Sequence, residues 1–182
     1  MKRLILTIFS FIVISAGAQD LEEKTSSDIW LEQIYSIRQI SPSGNLAYIE
    51  QTGDANVLIT EQVQSGGIIN PNIIEARQTG NGNFSSSYQE GYGLVSSNSQ
   101  NGNGNIAITN LKGGFIESQV AQIGQNQLVE QYIEGNASSY RIIQEGYDNV
   151  LIHRENEPNP KQMIIRQNGN GMRLMIENFM VQ

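Results

Sequence analysis

Side chains that could carry out acid–base chemistry are few in this sequence. His153 is the only histidine, and Glu155 and Glu157 follow it closely. A histidine beside carboxylates is suited to general acid–base catalysis. However, the local alternation places His153 at an inward strand position, where a hydrogen-bonded core histidine is the simpler interpretation. We therefore expect no catalytic residue and predict that the chain is not an enzyme.

Motifs that bind phosphate, cofactors or metal ions are also weak. The segment from Asn101 to Asn105 reads N-G-N-G-N, but a phosphate-binding loop needs a lysine and a following helix as well. Calcium-binding nonapeptide repeats need an Asp in every turn, whereas only Asp54 and Asp148 lie near the repeated frame. The sequence has no cysteine, which excludes disulfides and thiolate metal sites. We predict no cofactor and no metal.

The chemistry that does recur is that of carboxamides at a regular spacing. A frame of Gln, any residue and Gly returns every eleven residues, and every second copy is extended to Gln-x-Gly-x-x-Asn. The repeat is therefore a pair of eleven-residue halves, about 22 residues long, which is typical of a solenoid. The Gln frames begin at Gln78, Gln89, Gln100, Gln122 and Gln144, and Leu111 and Ile133 begin the two intervening frames that lack Gln.

Within each half-repeat, inward and outward residues alternate with a period of two, as in a β-strand. The sequence therefore predicts an all-β fold, a β-solenoid of about six stacked strand-turn-strand repeats of 22–23 residues each. An insertion near residues 66–71 and one extra residue near 156–160 contain Pro with Gly or Asn, so both are expected in turns. The six units begin near Asn45, Asn72, Leu94, Ile116, Ser138 and Lys161.

The expected inner face of this solenoid is rich in amides, which are costly to bury unless each finds a hydrogen-bond partner. If each unit is a rung lying about 4.8 Å above the previous one, identical amides can bond to their copies above and below, as in amyloid. Glycines would form a third column at turns that need a positive φ. The predicted Gln ladder is Gln51, Gln78, Gln100, Gln122, Gln144 and Gln167; the Asn ladder is Asn56, Asn83, Asn105 and Asn149, with Gln127 and Met172 in the remaining places; and the Gly column is Gly53, Gly80, Gly102, Gly124, Gly146 and Gly169.

The outward residues of the second strands are more apolar than a solvated surface requires. This pattern fits either ordinary strand propensity or a lateral contact surface for another copy or a partner. Both ends of a stack would also expose unpaired backbone groups, to which further strands could be added. The outward apolar residues are Val57/Ile59, Phe84/Tyr88, Ile106/Ile108, Leu128/Tyr132, Val150/Ile152 and Met175/Phe179.

The N-terminal segment, residues 1–18, has the features of a secretory signal peptide. Lys2 and Arg3 precede an apolar run, and a small-residue motif predicts cleavage between Ala18 and Gln19. The run is too short for a membrane span, which needs about 20 residues. We therefore predict a secreted protein with no transmembrane segment, in which residues 19–44 form a leader and residues 45–182 the repeat domain.

The charge of the mature chain argues against nucleic acid as a partner. Removal of the signal peptide leaves 9 basic and 18 acidic residues, a net charge of about −9. A phosphate-binding surface would need clustered Lys and Arg instead. The acidic excess is concentrated before residue 138, because the last 45 residues carry equal numbers of acids and bases.

The repeated Q-x-G-x-x-N frame, followed by a second Gln, resembles the curlin repeat of bacterial amyloid fibres. The segment from Asn45 to Asn56 is the closest local match and is most similar to the minor, nucleating curlin of a Gram-negative bacterium. The resemblance implies export through the outer-membrane curli secretion pore and assembly with other curlin subunits into extracellular amyloid fibres of biofilms. The chain departs from the pattern at Met172, where Asn is expected, and at Leu111, Ile133 and Glu155, which replace the second Gln.

Three functional hypotheses follow. The first is a structural subunit of a curli-type functional amyloid that nucleates or templates fibre assembly in biofilm and adhesion. The alternative is a monomeric secreted β-solenoid that binds a surface or a polysaccharide. A polysaccharide-cleaving β-helix enzyme is the third, and the shortage of clustered Asp, Arg and Lys disfavours it.

Overall fold

The structure is a computed structural model that describes residues 44–64, 70–157 and 161–179, without the side chains of Glu157 and Phe179. The predicted signal peptide, its cleavage between Ala18 and Gln19, and the leader up to residue 43 lie outside the described residues. Most of the insertion near 66–71 and residues 158–160 lie outside them as well. These expectations stay predictions.

The described residues form twelve β-strands and no helix. Each strand is seven to nine residues long, and short turns separate the members of a pair. The prediction of an all-β fold is confirmed. The strands are β1 (Leu46–Thr52), β2 (Val57–Gln64), β3 (Ile73–Thr79), β4 (Phe84–Tyr92), β5 (Val95–Asn103), β6 (Ile106–Gly114), β7 (Glu117–Gln125), β8 (Leu128–Asn136), β9 (Ser139–Tyr147), β10 (Val150–Glu157), β11 (Gln162–Asn170) and β12 (Arg173–Phe179).

These strands stack into two parallel sheets that face each other. The first sheet has the order β1-β3-β5-β7-β9-β11, and the second has the order β2-β4-β6-β8-β10-β12. One odd-numbered strand, a turn and the following even-numbered strand therefore make one rung. The register places Gln78 beside Gln100 and Gln100 beside Gln122, one repeat apart. The predicted β-solenoid of strand-turn-strand rungs is confirmed.

Two apolar clusters fill much of the space between the sheets. One lies beside the Gln and Asn ladders, and the other lies at the opposite ends of the strands. Burying each Val, Leu and Ile side chain of these clusters contributes roughly 1.5–3 kcal/mol. The first cluster contains Ala107, Val120, Val129, Ile142, Leu151 and Ile165, and the second contains Leu94, Leu111, Ile116, Ile133 and Tyr140.

Part of the core of the second and third rungs is polar instead. Asn98 Nδ2 donates hydrogen bonds to the hydroxyls of Ser85 and Ser87 at 3.1 and 2.9 Å. The hydroxyl of Thr109 donates to Asn98 Oδ1 at 3.4 Å. All four side chains are buried. Because the amide has partners on both of its polar atoms, burying it here does not carry the cost of an unsatisfied group.

The glycine column sets how closely the rungs approach at the first turn. Gly102 has a φ of +131°, and a Cβ at this residue would overlap the carbonyl group of Gly124 in the next rung. Any side chain would therefore push the rungs apart where the ladders need them at hydrogen-bonding distance. A Cβ would meet the next glycine of the column in the same way at Gly53, Gly80, Gly124 and Gly146.

Replacement of Gly102 with Ala is expected to lower the free energy of unfolding by about 3 kcal/mol or more, because the methyl group overlaps the next rung and the φ is disfavoured. Gly82 is a matched control, since its φ is +64° but no atom lies within 4 Å of the Cβ position. Gly82→Ala should cost only about 1 kcal/mol. Urea denaturation followed by circular dichroism measures both. Equal losses would contradict the close approach at Gly102.

Candidate functional site

A column of glutamines runs along the axis of the solenoid. The Nε2 of each Gln donates to the Oε1 of the Gln in the next rung, at distances from 2.6 to 3.0 Å. The same Nε2 bonds to the second sheet, as from Gln100 to the carbonyl of Phe84 at 2.9 Å. Each carboxamide therefore joins two rungs and also ties the two sheets together. The donors all point toward the C-terminal end, from Gln51 through Gln78, Gln100, Gln122 and Gln144 to Gln167.

The asparagines that follow the first turns form the second predicted ladder by different contacts. Asn83 Nδ2 donates to the carbonyl of Gly102 at 2.8 Å, and Asn83 Oδ1 accepts the N–H of Asn105 at 3.1 Å. Both partners belong to the next rung. Each Asn thus satisfies one backbone acceptor and one backbone donor of the rung that follows it. Asn56, Asn105 and Asn149 make the same two contacts.

Gln127 occupies the fourth place in the Asn ladder and makes only half of these contacts. Its Nε2 donates to the carbonyl of Gly146 at 2.9 Å, but its Oε1 is buried without a hydrogen-bond partner. Gln is one methylene longer than Asn, so the geometry that suits both polar atoms of Asn suits only one of Gln. A buried acceptor without a partner costs free energy.

Gln127→Asn is expected to raise the free energy of unfolding by about 1 kcal/mol, because the shorter amide can serve both partners in the next rung. The reciprocal change, Asn105→Gln, should lower stability by a similar amount, since it introduces the same defect one rung earlier. Urea unfolding midpoints at an unchanged m value report both effects. A loss of stability in Gln127→Asn would contradict this account of the ladder.

The sequence analysis missed a further amide ladder, formed by Asn residues in the turns between paired strands. Asn81 Oδ1 accepts the N–H of Asp54, and Asn103 Oδ1 accepts the N–H of Asn81, both at 2.9 Å. In the sequence, each of these residues is an Asn that immediately follows a glycine of the Gly column or of another turn. The same contact joins Asn136 to Gly114 and Asn170 to Tyr147.

The second Gln of each repeat forms only a short column. Where the residue type in this column changes, the residues that face it across the core change as well. Gln62 Nε2 donates to Gln89 Oε1 at 3.0 Å, but the next rung has Leu111 in this place. The column runs along the second sheet and faces residues of the first sheet across the core, so a change of residue type in one sheet needs a matching change in the other. The facing residues are Asn45, Asn72, Gln62 and Gln89 in the first two rungs, Leu94, Leu111, Ile116 and Ile133 in the next two, and Ser138, Glu155 and Lys161 in the last two.

His153 lies in the core, fully buried, at the inward position that the sequence predicted. Its Nδ1 is 3.3 Å from Gln131 Nε2, and its Nε2 is 3.2 Å from Glu155 Oε2. Lys161 Nζ, from the next rung, is 2.6 Å from Glu155 Oε1. Burial lowers the pKa of His153; burial would raise the pKa of Glu155, but hydrogen bonds with Lys161 and Tyr140 hold it below its usual value. We interpret the cluster as a polar part of the core.

A buried carboxylate on the outer side of the first sheet was not indicated by the sequence. Glu75 is 1% exposed, and neither of its oxygens has a hydrogen-bond partner among the described residues. Arg77 Nη2 lies 3.5 Å from Glu75 Oε1, but Arg77 Nε also lies 3.2 Å from Glu50 Oε2. Burial raises the pKa of Glu75 to about 7, against the attraction of Arg77 and with a contribution from Glu50.

Glu75→Gln is expected to stabilise the protein by up to about 3 kcal/mol near pH 8. The folded pKa of Glu75, about 7, exceeds its ordinary value of 4.5, so its contribution to stability is lost as the pH rises through this window. Below about pH 4.5 the carboxyl is protonated in both states, and the gain should vanish. Urea unfolding across this range tests it, with Glu61→Gln, an exposed position in the second sheet, as control. A gain that does not depend on pH would contradict it.

The inner faces of the first and last rungs are open to solvent. In β1, Ile49 is 48% exposed, whereas its neighbour Ala76 in the next rung is fully buried. At the other end, Leu174 is 39% and Met172 is 40% exposed. Among the described strands, β1 and β2 have one neighbour each, and so do β11 and β12. Each end therefore presents apolar core side chains beside strand edges that can still pair.

The outward apolar residues of the second sheet stand side by side along the axis. Val57 lies beside Phe84, and Phe84 lies beside Ile106. Exposure along the band is uneven, because Ile59 and Met175 are more than half exposed while Phe84 is half-buried. The structure thus contains the apolar face that the sequence predicted, and a contact role for it stays a prediction.

A scan against protein-family models and searches of curated proteins and of solved structures found no match to this chain. No helix among the described residues is long and apolar enough to cross a membrane. The same part of the chain has no group of three or more His, Asp or Glu that could hold a metal ion. Function must therefore be inferred from the ladders and the end rungs.

Proposed function

We propose that this chain is a structural subunit of an extracellular, curli-type functional amyloid, and that it nucleates or templates fibre assembly in biofilm and adhesion. The observation that carries this proposal is the combination of an axial amide ladder with open end rungs. The backbone and Gln-ladder contacts that hold one rung to the next inside the chain are of the kind that its two ends still offer.

Templating needs an end surface that an incoming chain can copy. Gln51 in the first rung uses its Nε2 to reach Gln78, which leaves its Oε1 to accept a bond from a further rung. An arriving strand would gain backbone hydrogen bonds at the edge and cover apolar residues such as Ile49. Both gains depend on correct register, so the end rung would impose its own conformation on the strand that pairs with it.

The partners in this proposal are other curlin subunits, either copies of this chain or a major subunit, and the outer-membrane curli secretion pore. The predicted signal peptide supports export to a cell-surface fibre. The working residues are the Gln, Asn and Gly columns. The proposal includes no enzymatic activity, cofactor or nucleic acid.

A second candidate function is supported by the exposed apolar residues of the second sheet. Ile59 and Met175 belong to a band that could contact a surface or a polysaccharide while the solenoid stays monomeric. Self-assembly separates the two candidates, because a monomeric binding module has no need of open end rungs.

The chain from Gln19 onward, diluted from denaturant to neutral pH, is expected to form fibres after a lag that preformed seeds remove. Thioflavin-T fluorescence follows the kinetics, and fibre diffraction should show the strand spacing of about 4.7–4.8 Å. Gln122→Ala, in the ladder, should slow seeded growth. Gln119→Ala, on the outward side of the same strand, is the matched control and should have little effect.

A stable, dye-negative monomer with β-rich circular dichroism would overturn the fibre proposal and favour the secreted binding module. If fibres form, their seeds can be added to a major curlin subunit. Faster assembly of that subunit would support a nucleating role, and unchanged assembly would indicate a subunit that grows only with its own kind.

A further inference from the structure

Met172 takes the sixth place of the Asn ladder and completes the contact from the rung before it. Its backbone N–H donates to Asn149 Oδ1 at 3.0 Å, just as the N–H of Asn105 donates to Asn83. Toward a following rung, however, a thioether has no N–H to donate and is only a weak acceptor. Met172 therefore cannot supply the two hydrogen bonds that each Asn of the ladder gives to the next rung.

Most other inward positions of the last rung resemble those of the first rung, although Ile176 would lie opposite Thr60 and Lys161 opposite Asn45. If the register between neighbouring rungs is continued from β11 to β1 and from β12 to β2 of a second copy, apolar residues meet apolar residues and amides meet amides. The last rung is more than a third exposed at two of its inward positions, Met172 and Leu174, so a following rung would cover them. The matching pairs are Met163 with Ala47, Ile165 with Ile49, Gln167 with Gln51, Leu174 with Leu58, and Asn178 with Gln62.

We infer that the C-terminal rung receives the N-terminal rung of a second copy of this chain, and that Met172 makes this junction weaker than the contacts between rungs inside the chain. This inference rests on the proposed function. Opposite Met172, the second copy would place the N–H of Asn56 and the carbonyl of Gly53. Inside the chain, Asn ladder residues bond the groups in these places, whereas at the junction both are covered without a partner.

An amide at position 172 would repair the junction and would stabilise the single chain less, because within the chain it can bond only to Asn149 and to its own rung. Asn105 bonds to Asn83 Oδ1 at 3.2 Å in this way, and Asn149 bonds to the carbonyl of Glu145 at 3.1 Å. No described strand follows β12, so an Asn here has no further rung of its own chain to bond. Gln127→Asn makes the same repair at an interior place and acts within one chain. The two substitutions therefore differ in which quantity changes more: the interior repair mainly changes the stability of the isolated chain, and the terminal repair mainly changes assembly.

The experiment compares the full mature chain with its Met172→Asn, Met172→Leu and Gln127→Asn variants. Two quantities are measured for each: the soluble concentration that remains when assembly ends, and the urea midpoint of the unassembled chain. Met172→Asn should lower the soluble concentration about tenfold, the size expected for restored hydrogen bonds, and should raise the urea midpoint less than Gln127→Asn does. Met172→Leu has no amide and should match the parent. Gln127→Asn should raise the urea midpoint.

The outcomes distinguish this inference from the proposed function. Fibres of parent and Met172→Asn with equal soluble concentrations would overturn the weak junction and leave the fibre proposal standing. An equal fall in the soluble concentration of Met172→Leu would also overturn the inference, because the size of the side chain and not its amide would then be responsible. Fibres from Met172→Asn alone would support it. Absence of fibres from every variant would overturn both.

Discussion

A carboxamide buried in a rung that is one strand thick finds its stacking partner only in the neighbouring rung. Gln100, for example, has Gln78 on one side and Gln122 on the other, and each bond needs the two residues at the same height. A shift of one residue would turn every ladder amide to the outer face of its sheet. The need to satisfy buried amides therefore fixes the register, the length of each rung and, through Gly102 and its equivalents, the closeness of the backbones.

This dependence explains how much could be predicted from the sequence. A ladder residue must recur once per rung, so spacing alone revealed the solenoid, the rungs and the inward position of His153. Spacing does not report the length of a side chain, and for this reason Gln127 resembled a ladder member although its Oε1 has no partner. The pairing of Glu155 with Lys161 joins different rungs and different sheets, and Glu75 is buried although it lies at an outward strand position. Neither feature recurs once per rung, so the spacing of residues in the sequence does not indicate it.

The interior of the stack is not uniform, and the differences favour one order of rungs. Around Asn98 the core is polar, around Leu111 it is apolar, and around Glu155 it is ionic. If a rung were skipped during folding, the Gln ladder would still close, because all its members are identical. If the skipped rung were the fifth, Lys161 would lie beside Ile133 without Glu155, at the cost of a poorly paired charge in the core. The irregular columns thus specify an arrangement that the regular columns alone leave degenerate.

Edge strands of soluble β proteins are usually protected by inward-pointing charges, prolines or bulges. Among the described residues, the end rungs have little of this. The inward positions of β1 include Ala47 and Ile49, and in the last rung the inward charge of Lys161 is already paired with Glu155. Outward charges such as Glu50 lie on the edge strands but do not block pairing in the plane of the sheet. A monomeric solenoid would gain from better protection, whereas a subunit that continues its own stack requires such open ends.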